Sequence, residues 1–181
     1  ELSEALRVQM IRGEVEVETE GRKILIRIKE RGSFEPGTAE LSDSYYPILR
    51  YVREVIARRE GSVSVEGHAD NSNIRTARFR SNWDLSAARA VSVAQELFID
   101  DVLNPQRFSV TGFAHVQPLV QNDSAENRDT NRRVEIVIRQ TIDPDLQQQI
   151  AALQDVDPDL YDSFGLEDVR FLYDLPPSSI F

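Results

Sequence analysis

Apolar positions along this chain follow two different periods, and the changes of period divide it into strands and helices. Leu2, Leu6 and Met10 are spaced by four, which predicts a helix over Leu2–Ile11. Glu14–Thr19 then alternates acids with Val15 and Val17. A turn at Glu20-Gly21 leads to a second strand carrying Ile24, Ile26 and Ile28, so the two strands are expected to pair as a hairpin. From Asp43 to Arg59, Tyr45, Leu49, Val52 and Ile56 form one helical stripe, with Pro47 tolerable only in the first turn. Val63–Glu66 is a third strand, and Asp84–Phe98 is a second large helix with Leu85, Ala88, Val91, Ala94 and Phe98 at helical spacing. Phe108–Thr111 is a fourth strand and Val134–Arg139 the last.

The segment from Val63 to Arg89 carries the candidate chemistry. Gly67 ends the run begun by Val63 and Val65, which places Asp70 in a loop at the carboxyl end of a strand. Ser81, followed three residues later by Asp84, is a capping-box variant that opens the next helix, and Arg89 lies near that helix's start. A carboxylate beside a guanidinium and a helix amino terminus can hold a zwitterion, Asp70 taking an ammonium and Arg89 gripping a carboxylate through two donors. Both groups are therefore expected to be exposed. The plainer reading makes Asp70 a loop residue that caps a turn with its side chain. Arg89 has candidate partners in its own helix, Asp84 and Glu96, but neither lies three or four residues away, so its partner is a tertiary contact or a ligand.

Three blocks of residues resemble, in order and separation, the signature blocks of the OmpA-like peptidoglycan-binding domain. They are Gly67-His68-Ala69-Asp70, the Asn-x-x-Leu-Ser-x-x-Arg-Ala segment from Asn82 to Ala90, and Asn131-Arg132-Arg133-Val134-Glu135-Ile136. Phe34-Glu35-Pro36-Gly37, with Ala39 and Leu41, is similar to that domain's entry motif. The loop from Asn71 to Asn82 is longer than in outer-membrane members and resembles the MotB/PomB branch, the peptidoglycan-anchored stator subunits of the bacterial flagellar motor. The resemblance covers about residues 23 to 140.

This resemblance implies an α+β fold, a two-layer sandwich of a mixed β-sheet with helices on one face. It divides the chain into a linker region at 1–22, the domain at 23–140 and an extension at 141–181. It implies that Asp70, Asn82, Arg89 and Arg132 bind peptidoglycan through the zwitterionic end of diaminopimelate in the stem peptide, with Asn82 orienting the loop. Of Arg132 and Arg133, one reads as a solvated edge charge, and the resemblance assigns Arg132 to the ligand. A homodimer is implied, as is a MotA/PomA-like partner subunit reached through a membrane segment. The location would be periplasmic, with the full-length protein held in the inner membrane by a helix absent here. No cofactor is implied.

Composition narrows the alternatives. A chain of 181 residues, 40% apolar and 29% charged, supplies one domain with a sizeable core plus extensions. The absence of cysteine excludes disulfides, thiolate metal sites and cysteine nucleophiles. No apolar run approaches the ~18 residues of a membrane span. Residues 1–140 hold 22 acids and 20 bases, net −2, and residues 141–181 hold nine acids and one base, net −8, together the −10 of the whole chain. So acidic a protein is not expected to bind nucleic acid. The tail, with Pro144, Pro158, Pro176 and Pro177, reads as an extension. Within it, Leu146, Ile150 and Leu153 suit a short helix, Asp155–Asp159 a linker, and Leu160–Leu175 either a docking segment, being too rich in apolar residues for a purely solvated run, or a frayed terminus with no partner.

Two further readings are weaker. The two histidines, His68 and His115, would have to converge with Asp70 to make a zinc site, which the sequence does not demand, so no metal is expected. There is no Gly-x-Ser-x-Gly elbow, and Ser62 and Ser64 lie within a strand, so a cell-wall hydrolase is not expected and His68 reads as a hydrogen-bonded residue behind the ligand loop. An outer-membrane tether of the same family is the nearer rival, set aside by the long Asn71–Asn82 loop and the Leu2–Ile11 helix. Arg75, Arg78 and Arg80 form a short basic run that is either a solvated face or an attractor of cell-wall carboxylates.

Overall fold

The computed structural model of the chain describes residues 6–141 except 36, together with 152, 156, 157 and 159. The chain divides into two compact units, Glu1–Gln140 and Thr141–Phe181, and every element named below lies in the first. The helix expected at Leu146, Ile150 and Leu153 and the docking segment Leu160–Leu175 lie outside the described residues. Of the expected linker Asp155–Asp159, only positions 156, 157 and 159 are described.

Five strands, β1 (Val15–Glu20), β2 (Lys23–Lys29), β3 (Ser62–His68), β4 (Phe108–Gly112) and β5 (Arg133–Arg139), form one sheet in the order β1-β2-β5-β3-β4. The expected hairpin is present, with Val15 opposite Ile28 and Glu20 opposite Lys23. The last strand in sequence sits at the centre, antiparallel to both neighbours, while β3 and β4 run parallel. Its position follows from its side chains. Val134, Ile136 and Ile138 are all fully buried, and Ile136 is flanked by Ile26 on one side and Val65 on the other. This is the mixed sheet that the α+β expectation required.

Among the described residues, α1 (Arg7–Ile11), α2 (Tyr46–Ala57), α3 (Asn82–Leu97) and α4 (Ala125–Asn131) accompany it, beside a single helical turn at Glu30–Ser33 and three short 3-10 turns. The α2 stripe is as expected, with Tyr45, Leu49, Val52 and Ile56 buried and Pro47 in the first turn, where its missing N–H is harmless. Together with Ala90, Val93, Ala94 and Leu97 of α3, these residues close one core against Ile24, Ile26, Ile28, Val63, Val65 and the β5 aliphatics. At α1, Leu6 just before the helix and Met10 within it join that core while Val8 and Ile11 face solvent. The α3 helix is rotated from its expected stripe. Val91 is exposed, and the buried face instead carries Ser86, Arg89, Ala90 and Val93. The α4 helix was not anticipated, because Ala-Glu-Asn-Arg-Asp-Thr-Asn has no apolar periodicity; its start is marked only by Ser124, whose hydroxyl accepts the Asn127 N–H at 3.0 Å.

Gly67 corrects a second expectation. It does not end β3 but lies inside it, paired with Gly112 of β4 and Val134 of β5. A Cβ at Gly67 would stand 1.9 Å from the Ser86 carbonyl oxygen, and one at Gly112 would stand 2.5 Å from the Ala87 nitrogen. Two glycines side by side on adjacent strands therefore let the α3 backbone press onto the sheet. Replacing Gly67 with alanine should lower the stability of the domain by about 3 kcal/mol, since backbone rather than a flexible side chain must give way. Urea unfolding of Gly67→Ala against the parent checks this, and an unchanged midpoint would contradict the close approach.

Candidate functional site

The site begins where β3 runs out. Backbone bonds from Phe113 N–H to Gly67 (2.8 Å) and from Ala69 N–H to Ala114 (2.7 Å) carry the strand pairing just past its end, and the chain then turns at Asp70. One carboxylate oxygen of Asp70 accepts the Ser72 N–H at 2.7 Å, the turn-capping role of the plainer reading, while the other faces Arg132 Nη1 at 2.5 Å. Asn82, the first residue of α3, donates from its side-chain amide to the carbonyls of Asp70 (3.0 Å) and Ser72 (2.9 Å). Ser81 caps the same helix through the Asp84 N–H. Loop and helix start are thus locked together, and the close approach permitted by Gly67 holds the helix where Asn82 can reach.

Asp70 and Arg89 do not touch. They are joined through two other residues in a chain of alternating charge. Arg89, only 2% exposed, donates from Nε to the Thr38 carbonyl at 2.8 Å and from Nη2 to Glu30 Oε1, and its guanidinium lies over the Phe34 ring at 5.2 Å. The other Glu30 oxygen is 2.5 Å from Arg132 Nε. Arg132 then reaches Asp70 through Nη1 and Asp129 through Nη2, the latter at 2.7 Å. Burial works against the Arg132 charge, but the hydrogen bond to Asp70 and the charges of Glu30, Asp70 and Asp129 more than offset it and raise its pKa above the ordinary value. Glu30 is placed by the end of β2, where its N–H donates to the Arg132 carbonyl at 2.9 Å and the chain swings away through Gly32 at φ +92°. Two arginines and three acids make the cluster.

Several sequence expectations change here. Arg89 and Asp70 are buried rather than exposed, because each is held by an opposite charge from another part of the chain. Arg89's partner in this structure is tertiary, one of the two possibilities its helix spacing left open. Neither Arg132 nor Arg133 is a solvated edge charge: Arg133 is buried and donates to Glu135 (2.8 Å) and to the Asn131 carbonyl (3.1 Å). His68 is not hydrogen-bonded; neither ring nitrogen has a partner of normal geometry, and the ring stacks on Phe113 at 5.3 Å. No serine hydroxyl among the described residues is therefore paired with it as a nucleophile would be. His115 is exposed. In the basic run all three arginines are exposed, with Arg78 paired to Glu40 and Arg80 to Asp84.

Glu30 and Asn131 escaped sequence reading as functional residues. Asn131 is buried, and its amide bonds the Leu119 and Val120 N–H groups, the Val120 carbonyl and Asn122, fixing the loop that runs alongside the site. Its place at the head of the third signature block was the available signal. Glu30 had none, since an acid after a strand of alternating polarity reads as solvated.

With fold and site in place, comparison defines the class. The chain belongs to the OmpA family, whose model matches residues 33–132. It is 32% identical over 126 residues to Motility protein B of Bacillus subtilis strain 168, covering 69% of this chain and 48% of that protein. It is also 32% identical over 131 residues to the uncharacterized protein YtxE of the same organism, covering 72% of this chain and 54% of the relative. The chain thus spans about half the length of these relatives. Among solved structures it is similar to the cell wall anchor of the T6SS from Pseudomonas aeruginosa, with TM-score 0.71 and 33% identity over 78% of this chain and 98% of that one. It is also similar to a putative MotB-like protein from Desulfovibrio vulgaris, with TM-score 0.69 and 29% identity over 77% and 90%.

The buried end of the charge chain sets its energetics. Glu30→Ala leaves the Arg89 guanidinium buried without its counter-charge and should cost about 3 to 5 kcal/mol. Glu40→Ala removes an exposed ion pair with Arg78 and should cost no more than about 1 kcal/mol. Chemical denaturation of the two variants checks the contrast, and equal effects would show that Glu30 does not neutralise Arg89.

Proposed function

We propose that this chain is the peptidoglycan-binding module of a flagellar stator B subunit of the MotB/PomB kind, a non-enzymatic anchor in the periplasm. The observation that carries the reading is the Asp70–Arg132–Glu30–Arg89 chain at the mouth of the β3–α3 loop. In the free protein these charges satisfy one another. A zwitterionic ligand can exchange into the chain without leaving any charge unpaired. Its ammonium takes the Asp70 oxygen now facing Arg132, and its carboxylate receives the Arg132 donors so released together with donors of Arg89 beyond those bonded to Thr38 and Glu30. Asn82 holds the loop in the shape that keeps Asp70 pointed inward. Diaminopimelate in the peptidoglycan stem presents such a zwitterion at its side-chain end.

The similarity to Motility protein B supports the stator role, with residues 23–140 as the wall-binding domain, 1–22 as the linker towards the membrane and 141–181 as an extension. Two copies would share one stator with a MotA/PomA-like subunit, and a membrane helix outside this sequence would tether each copy. Among the described residues no helix is long and apolar enough to cross a membrane. A second reading has its own support: the similarity to a T6SS cell wall anchor over almost all of that chain favours the same wall-binding act in the service of a different machine.

Binding to purified sacculi tests the site. Asp70→Asn should reduce co-sedimentation with diaminopimelate-containing walls by roughly 10- to 100-fold, the worth of a charge-assisted hydrogen bond of ~1.5 to 3 kcal/mol. The variant should stay folded, because Arg132 keeps Glu30 and Asp129. The parent should also bind lysine-containing walls more weakly by a similar factor, since lysine lacks the carboxylate. Equal binding to both wall types would rule out the exchange, and normal pelleting of Asp70→Asn would rule out the site. Motility restored by the full-length gene in a stator-deficient strain would separate the stator reading from the secretion-anchor reading.

A further inference from the structure

The face of the sheet turned away from the core carries a second cluster that wall binding does not use. Along β3, Val63, Val65 and Gly67 face the helices, so Ser64, Glu66 and His68 face the other way. There Glu66 stands opposite Glu135 of β5, and His68 opposite Arg133. We propose that Glu66, His68 and Glu135 form a binding site for a divalent transition metal of the zinc class. One imidazole nitrogen and a carboxylate oxygen from each acid all lie within 4.8 Å of one another, and His68 Nε2 stands 4.0 Å from Glu135 Oε2.

Two features point to a missing ligand. His68 is 2% exposed, yet both of its ring nitrogens lack a hydrogen bond, a state that buried polar atoms seldom occupy without a reason. Glu135 is divided in its use: Oε1 accepts from Arg133 (2.8 Å) and Arg27 (3.0 Å), while Oε2 is turned towards His68.

Charge and geometry agree. By strand alternation the face presents five acids, Glu16, Glu18, Glu20, Glu66 and Glu135, against five bases, Lys23, Arg27, Lys29, Arg133 and Arg139, several of them joined in ion pairs, so a dication is not repelled by the face as a whole. One nitrogen and two carboxylate oxygens suit zinc better than magnesium or calcium, which take oxygen alone. Ligands about 2.1 Å from a tetrahedral ion stand about 3.4 Å apart, so closing the site asks the donors to draw in by about 1 Å, within reach of side-chain torsions. The arginines on Oε1 and the Ser64 hydroxyl, which donates to Glu66 at 2.7 Å, would orient the ligating carboxylates from behind. The metal would brace the ends of β3 and β5, two residues from Asp70 and three from Arg132.

Calorimetric titration of the chelator-stripped full chain with zinc chloride tests this. One equivalent should bind, the melting temperature should rise with zinc, and Glu66→Gln and His68→Gln should each weaken binding by about tenfold or more. His115→Gln, at the exposed histidine, should bind as the parent does. Should His68→Gln fail to fold, the half-buried Glu66 variant decides. Absence of saturable uptake by the parent, uptake undiminished in Glu66→Gln, or uptake lost in His115→Gln would each overturn the proposal.

Discussion

A guanidinium buried between helix and sheet governs this molecule. Arg89 sits on the inner face of α3, where an unpaired charge would cost several kcal/mol. Glu30 supplies the counter-charge from the end of β2, and the Thr38 carbonyl and the Phe34 ring supply the rest of its surroundings. Because Glu30 has a second oxygen, the neutralisation does not stop there but passes to Arg132 and so to Asp70. The same demand that stabilises the interior thus orders Arg132 and Asp70 at the carboxyl end of β3.

Position as well as charge must be set, and here the backbone decides. Gly67 and Gly112 remove two side chains from the β3–β4 surface, which lets α3 lie against it and brings Ser86 to the Ala114 N–H at 3.0 Å. With the helix that close, its first residue, Asn82, spans to the carbonyls on either side of Asn71. Asn131 performs the matching task for the neighbouring loop. Two buried amides, each satisfied by backbone, therefore hold the rim of the site, and neither contributes a charge of its own.

The two faces of the sheet divide the labour. One is aliphatic and buries the core beneath α2 and α3. The other carries acids and bases in cross-strand register beside buried Leu25 and Val137, and on it buried His68 has no hydrogen bond of normal geometry. Both faces meet at the carboxyl end of β3, where the strand's last residue points to one side and the following loop carries Asp70.

Much of this was legible in the linear chain. The alternation of Ile24, Ile26 and Ile28, the α2 stripe, the Ser81 cap and the order of the three signature blocks are local patterns, set by side-chain period and by capping chemistry over a few residues, and they determined the fold class and the positions of Asp70, Asn82, Arg89 and Arg132. What the tertiary structure decided was which groups meet. Glu30 lies 59 residues before Arg89 and Asp70 62 before Arg132, separations across which no periodicity carries information. For the same reason Arg89 read as exposed: its helix position is visible in sequence, but the acid that makes burial tolerable is not. Gly67 read as a strand end because a missing side chain looks alike whether it permits a turn or the approach of a helix. Only the packing of α3 against β3 distinguishes the two.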